Sequence, residues 1–169
     1  MVKKKSVLVL AGLFVFISVA LAFGQYKPGM FSRRDKIQAP DFTLRDISGK
    51  TFRLSSLRGN PVIIFFGATW CAACRGEMPY YKYLYQKYAQ QGLKFIYIDV
   101  NESTQKVARF ARQNSFPYLV LVDEDGSIAT DYNIIGVPTV FLLDKDRNII
   151  GISHRVADLH VDKFFPAIK

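Results

Sequence analysis

The sequence predicts an α/β fold in which helices cover both faces of a mixed β-sheet. Segments with the apolar patterns of strands alternate with segments of helical spacing, which is the order typical of a sheet covered by helices. The last two predicted strands are separated by a short polar turn, so they form an antiparallel hairpin. An apolar run at the N-terminus precedes this domain and predicts one transmembrane or signal helix.

The apolar run covers residues 7–23 and follows three lysines at positions 3–5. As a helix it would be about 26 Å long, close to the thickness of the hydrocarbon core of a bilayer. We therefore expect residues 1–24 to be a single-pass anchor in the cytoplasmic membrane, with the rest of the chain on the extracytoplasmic side. The small-x-small pattern at 20–22 leaves a cleaved signal and a secreted or periplasmic protein as the alternative.

Residues 25–38 contain Pro, Gly and mixed charges and predict a linker, so the folded domain is expected to cover residues 39–169. The domain opens with a predicted β-hairpin, formed by residues 42–44 and 51–54 around a turn that contains glycine. Residues 61–67 form a continuous apolar run bounded by Pro and Gly, as expected of a central strand buried on both faces.

Helical spacing predicts a long helix over residues 72–91, which ends at Gly92, and a shorter helix over 104–113. A closing helix is expected over 158–165, with Pro166 as its end. The remaining strands are predicted at 93–100 and 118–122 and, as the second hairpin, at 140–143 and 148–152.

The charge distribution argues against a nucleic-acid partner. The chain has 23 basic and 14 acidic residues and a net charge of +9, but three of the lysines precede the apolar run. The other basic residues are scattered over predicted helix faces and loops, without the dense run that follows a phosphate backbone. A solvated basic surface is the ordinary explanation.

The two cysteines of the chain lie as Trp70-Cys71-Ala72-Ala73-Cys74, between the central strand and the long helix. A thiolate at a helix N-terminus is stabilised by unpaired backbone donors and the positive end of the dipole, which makes it a nucleophile near neutral pH. A second cysteine one turn later can attack the resulting mixed disulfide. We therefore predict a redox-active disulfide in which Cys71 attacks and Cys74 resolves.

Two structural interpretations of the cysteines compete with this one. A purely stabilising disulfide would close a very short loop and so remove little unfolded-state entropy. A zinc site would need two further ligands, and only His154 and His160 are available, both far from the cysteines in the sequence. We expect no metal and no cofactor.

The segment 136–139, Gly-Val-Pro-Thr, lies directly before a predicted strand. If the Val137–Pro138 bond is cis, the turn would bring the Val137 backbone near Cys71, where it could pair with an incoming peptide. Trp70, Val137 and Pro138 are therefore the predicted substrate-binding residues.

These motifs resemble the thioredoxin superfamily and, within it, the membrane-anchored TlpA and ResA-type proteins. The resemblance covers roughly residues 39–169 and rests on the segments 39–44, 54–59, 66–79 and 136–139. It implies a thioredoxin-like mixed sheet and thiol-disulfide exchange with client proteins, with apocytochrome c as a candidate client and a membrane thiol as electron donor. The buried Asp that thioredoxins carry six residues before the first cysteine is replaced here by Phe65.

Glu77 is the candidate for the missing acidic group. ResA-like proteins resemble this chain in placing a carboxylate three residues after the second cysteine, one helical turn from Cys74. A partly buried carboxylate there could accept the Cys74 proton. The alternative is a surface Glu in the first turn of a helix, where the dipole favours it.

Three rival functions compete with that of a reductant. A disulfide-forming oxidant of the same fold is the nearest, but Ala72-Ala73 lacks the His that strong oxidants commonly carry, so we favour a reductant. A peroxiredoxin would need Pro and Thr where this chain has Ile64 and Ala68. A copper carrier of this fold is the non-enzymatic alternative, although such carriers usually separate their cysteines by three residues.

Overall fold

A computed structural model of the chain describes residues 37–168, in which seven strands form one mixed sheet. The sheet has the order β2-β1-β5-β4-β3-β6-β7. The three central strands β3, β4 and β5 are parallel, and every other pairing is antiparallel. The strands are β1 (Thr43–Asp46), β2 (Thr51–Arg53), β3 (Val62–Gly67), β4 (Lys94–Val100), β5 (Leu119–Asp123), β6 (Thr139–Leu143) and β7 (Ile149–Ser153).

Helices cover both faces of this sheet, as the sequence predicts. The α-helices are α1 (Ala72–Tyr88), α2 (Thr104–Gln113), α3 (Ser127–Asp131) and α4 (Val161–Ile168). Buried residues of α1, α2 and α4 share one apolar cluster with one side of the strands, and α3 belongs to a second cluster on the other side. Because side chains alternate along each strand, the continuous apolar run of β3 supplies residues to both clusters.

A buried hydroxyl group connects the central strand β3 to α1, the helix that begins at the cysteines. Every residue of β3 is buried, and the fully buried Tyr81 lies on the inward stripe of α1. Its hydroxyl lies 3.1 Å from the carbonyl oxygen of Ile63 on β3 and 2.8 Å from that of Ile96 on β4. The middle of α1 is thus fixed to the N-terminal halves of the two parallel strands β3 and β4.

The C-terminal helix differs from the prediction. A short 3₁₀ turn, Ala157–Leu159, comes first, His160 takes the left-handed conformation with φ of 45°, and α4 then continues through Pro166. The expectation that Pro166 ends the helix is therefore wrong. A proline in the last turn removes only one backbone donor, and Phe165, packed on Tyr88 with ring centroids 4.9 Å apart, anchors this turn in the core.

The predicted anchor at residues 1–24 and nearly all of the predicted linker lie outside the described residues. Ile37 and Gln38, the last two linker residues, already pair with the β7 side of the domain: the Ile149 N–H donates to the Ile37 carbonyl at 2.8 Å, and Gln38 forms a bridge with Asn148. Among residues 37–168, no helix has both the length and the apolar character needed to cross a membrane.

Candidate active site

The loop between β3 and α1 places both cysteines at the start of the helix. Cys71 is the N-cap residue of α1, and its Sγ accepts a hydrogen bond from the Cys74 N–H at 3.0 Å. The two cysteines form a disulfide with their Cα atoms 5.2 Å apart. Because a helix N-terminus favours negative charge, this position will stabilise a Cys71 thiolate when the disulfide is reduced.

The two sulfur-bearing residues differ in access to solvent. Cys71 is 5% exposed, whereas Cys74 is fully buried. The preceding Trp70 is 66% exposed, so its indole stands in solvent beside the sulfur that an incoming molecule can reach. This arrangement makes Cys71 the accessible end of the pair.

The loop before β6 meets the cysteines from the other side. The Val137–Pro138 peptide bond is cis, and the carbonyl oxygen of Val137 lies 3.6 Å from the Cys71 sulfur. The loop is held by two further contacts: the Thr139 hydroxyl donates to the Gly136 carbonyl at 2.6 Å, and Nδ1 of His154 lies 2.9 Å from the Pro138 carbonyl oxygen. Residues 66 positions apart in the chain are thus brought into one site.

A cavity of about 260 Å³ opens beside Trp70 and Val137. It lies where β4, α3 and the loop before β6 converge, and Ile135, which is 96% exposed, stands on its rim. Most of its lining is apolar, which suits an apolar side chain of a bound peptide. The apolar lining residues are Ala68, Trp70, Val100, Ala129, Ile134, Ile135 and Val137.

Glu77 lies one turn after Cys74 and is half-buried. Its Oε2 accepts a hydrogen bond from the backbone N–H of Val156 at 2.8 Å. Glu77 therefore ties the first turns of α1 to the segment that follows β7, a contact between residues 79 positions apart that sequence spacing does not reveal.

A second acidic group, which the sequence analysis did not single out, lies behind the cysteine loop. The backbone N–H and hydroxyl of Thr69 both donate to the carboxylate of Glu102, at 2.5 and 2.8 Å. Asp99, fully buried on β4, is its neighbour. The signal in the sequence is an aspartate at the end of the mostly apolar strand segment 93–100, since a buried charge without a partner is costly.

The histidines considered as zinc ligands do not gather with the cysteines into a metal site. Nδ1 of His154 is engaged with the Pro138 loop. Within the part of the chain that the structure describes, no three His, Cys, Asp or Glu side chains are grouped to hold a metal ion.

A Cys-x-x-Cys disulfide at the start of a helix, opposite a cis proline on a mixed sheet, defines the class: a thiol-disulfide oxidoreductase of thioredoxin fold. Its partly accessible sulfur can exchange with the disulfides or thiols of client proteins.

Comparison with known proteins identifies the family. The chain belongs to the AhpC/TSA family, whose model matches residues 36–152, and is an oxidoreductase of the ResA and DsbE type. It is 36% identical over 152 residues to the thiol-disulfide oxidoreductase ResA of Bacillus cereus, covering 88% of this chain and 87% of that protein.

Two solved structures support the same assignment. A putative thiol:disulfide interchange protein DsbE from Chlorobium tepidum has a TM-score of 0.72 and 27% identity, over 81% of this chain and 99% of that one. A putative protein disulfide isomerase from Bacteroides thetaiotaomicron has a TM-score of 0.66 and 31% identity, over 80% and 86% of the two chains.

Proposed function

We propose that this protein reduces disulfides of client proteins outside the cytoplasm. The proposed role is disulfide reduction during cytochrome c maturation, with apocytochrome c as a client and a membrane thiol as the electron donor. The observation that carries the proposal is the asymmetry of the disulfide: Cys71 keeps a small exposed area, 5%, beside Trp70 and Val137, whereas Cys74 has none. Reduction is favoured over oxidation because Ala72-Ala73 leaves no charged or imidazole group between the cysteines.

The reaction proceeds in two exchanges. The Cys71 thiolate attacks one sulfur of the client disulfide, which forms a mixed disulfide and expels the other client sulfur as a thiolate. The Cys74 thiolate then attacks Cys71 Sγ, so the second client thiol leaves and the Cys71–Cys74 disulfide forms. Two electrons pass to the client, and the donor dithiol restores the pair by the same exchanges in reverse. Trp70, Val137 and Pro138 hold the client segment beside Cys71.

Substitution of each cysteine tests these roles. With full-length protein and a supplied dithiol, insulin disulfides should be reduced by the native protein, and Cys71→Ser should abolish the reaction. Cys74→Ser should trap mixed disulfides through Cys71. The roles are reversed if an alkylating reagent labels Cys74 first in the reduced protein.

The direction of exchange is tested by equilibrium with glutathione. A reductant should hold its disulfide at a potential close to that of thioredoxin, roughly −270 mV. A potential near −120 mV, the value of a strong oxidant, would instead assign the protein to disulfide formation. A metal titration of the reduced protein separates both outcomes from a copper carrier, which would bind one Cu(I) stoichiometrically through the two thiolates.

Glu77 is the proposed acceptor of the Cys74 proton, and the hydrogen bond from Val156 allows a matched comparison. Glu77→Gln keeps an oxygen that can accept the Val156 N–H but cannot take up a proton, whereas Glu77→Ala loses both capacities. Slower exchange and a simpler thiol titration in both variants support a proton role. Slower exchange in Glu77→Ala alone assigns Glu77 to holding α1.

The proposed placement rests on the apolar run at residues 7–23. A reporter fused after Lys169 should be active only when it is exported, and the protein should remain with the membrane fraction. N-terminal sequencing that begins near Phe23 would show a cleaved signal, and recovery from the cytosol would contradict the export.

A further inference from the structure

Asp99 is a buried acid placed directly behind the active-site loop. It lies on β4, where the parallel register sets it opposite Gly67, the last residue of β3, and its side chain is fully buried. The chain enters the loop that carries Trp70 and Cys71 immediately after Gly67. A carboxyl group in this position is close to the loop, yet it has no direct part in the exchange chemistry described above.

Asp99 is linked to the loop through Glu102. The Glu102 carboxylate receives both the N–H and the hydroxyl of Thr69, which precedes Cys71 by two residues, and it forms an ion pair with Lys106 on α2. Arg75 also holds Thr69, donating to its carbonyl at 3.0 Å. The position of Thr69 therefore depends on how Glu102 is held.

The contact between Asp99 and Glu102 requires a proton. Oδ2 of Asp99 accepts a hydrogen bond from the Tyr97 hydroxyl at 3.3 Å, but Oδ1 has no donor among the described residues. The carboxylate of Glu102 lies within hydrogen-bond reach of the Asp99 carboxyl group. Two ionised carboxylates cannot form a hydrogen bond, whereas a protonated Asp99 can donate to Glu102 and satisfy both groups.

The surrounding charges agree with this distribution of protons. Burial raises the pKa of Asp99 to about 8, and the hydrogen bond to Glu102 and the negative charge of Glu102 act in the same direction. Burial opposes ionisation of Glu102 as well, but hydrogen bonds from Lys106 and Thr69 keep its pKa below the ordinary value.

The other titratable groups nearby do not change this picture. Burial raises the pKa of Tyr97 and of Tyr118, the residue before β5, so both phenols stay neutral. Lys106 is the cation that faces the pair from α2, and Arg75 reaches it only through Thr69. The buried Asp123 at the end of β5 is engaged elsewhere, with the N–H groups of Ile128 and Ala129.

We propose that Asp99 is a positioning residue for disulfide exchange: the proton that it donates to Glu102 holds that carboxylate against Thr69 and so fixes the loop that presents Cys71. When Asp99 ionises, two negative charges repel each other in a buried site, and Glu102 loosens its hold on Thr69. The inference rests on Cys71 as the sulfur attacked first, but it does not depend on whether the protein reduces or oxidises its clients.

The test is the pH dependence of exchange in full-length protein. Reduction of the Cys71–Cys74 disulfide by dithiothreitol can be followed by the fluorescence of Trp70, the single tryptophan, and corrected for ionisation of the reagent. The corrected rate constant of the native protein should fall roughly tenfold between pH 7 and 9, the effect of about 1.4 kcal/mol of lost positioning. Asp99→Asn, whose amide donates to Glu102 at every pH, should keep the faster rate throughout.

Asp131→Asn, which removes an exposed carboxylate at the end of α3, is the matched control and should follow the native profile. A fall in rate that persists in Asp99→Asn, or a flat native profile, overturns the proposal.

A second measurement needs no substitution of Asp99. The carboxyl carbon of Asp99, followed by NMR, should titrate near pH 8 in native protein and at lower pH in Glu102→Gln. Titration near pH 4 in native protein would refute it. Neither measurement involves a client, so the proposed biological role is tested separately.

Discussion

Gly67, the last residue of β3, lies where the core leaves no room for an added methyl group. A Cβ at this position would lie 2.7 Å from the Tyr97 hydroxyl oxygen, 2.9 Å from its Cε2 and 3.0 Å from Cε1 of Phe65. Tyr97 and Phe65 are fully buried and stacked on each other with ring centroids 5.5 Å apart, so neither ring has free space into which it can move. Gly67→Ala must therefore displace the Tyr97 ring from its contact with Asp99.

Overpacking of this kind costs about 1–3 kcal/mol of unfolding free energy. Gly76→Ala is the matched control, because a Cβ at Gly76 meets no atom within 4 Å and the residue lies inside helix α1. Alanine is favoured over glycine in a helix interior by about 0.8–1 kcal/mol, so this variant should be more stable than the native protein. The same glycine-to-alanine change is thus expected to lower the unfolding free energy at one position and to raise it at another only nine residues away.

Urea unfolding of the full-length oxidised protein, followed by far-UV circular dichroism, measures both effects. The midpoint should move down for Gly67→Ala and up for Gly76→Ala, with similar slopes for all three proteins. Equal or higher stability of Gly67→Ala would show that Tyr97 can move without cost, and the steric argument would fail. Loss of stability in Gly76→Ala would show that Gly76 has a conformational role that the open space around it does not indicate.

Two further predictions concern buried polar groups. Tyr81→Phe removes the hydroxyl that bridges the Ile63 and Ile96 carbonyls, and it should lower the unfolding free energy by about 1 kcal/mol in the same assay, with exchange activity retained. The raised pKa of Asp99 means that the folded state keeps a proton that the unfolded state has released between about pH 4 and pH 8. Stability should therefore fall with rising pH through this window, by up to about 1.4 kcal/mol per unit, and level off above it. Asp99→Asn should remove this slope, and parallel native and variant profiles would contradict the assignment.

The sequence by itself determined the parts of this protein that depend on local patterns. The continuous apolar run before the cysteines predicts β3, and the helical spacing after them predicts α1 with its inward stripe, because each pattern depends on neighbours within one or two turns. The Cys-x-x-Cys pair is likewise local, since its disulfide joins residues three positions apart.

The tertiary structure alone decided which distant groups face the cysteines. Several groups reach the site from strands and loops far away in the sequence. They are the Val137 carbonyl, the Val156 N–H that binds Glu77, and the pair of Asp99 and Glu102 behind Thr69. Their meeting depends on the strand order, which places β4 and β6 on either side of β3 and brings the end of β4 beside the start of α1. Sequence patterns record only whether a residue is polar or apolar; whether the buried Asp99 carries a charge or a proton is set by the carboxylate that the fold places next to it.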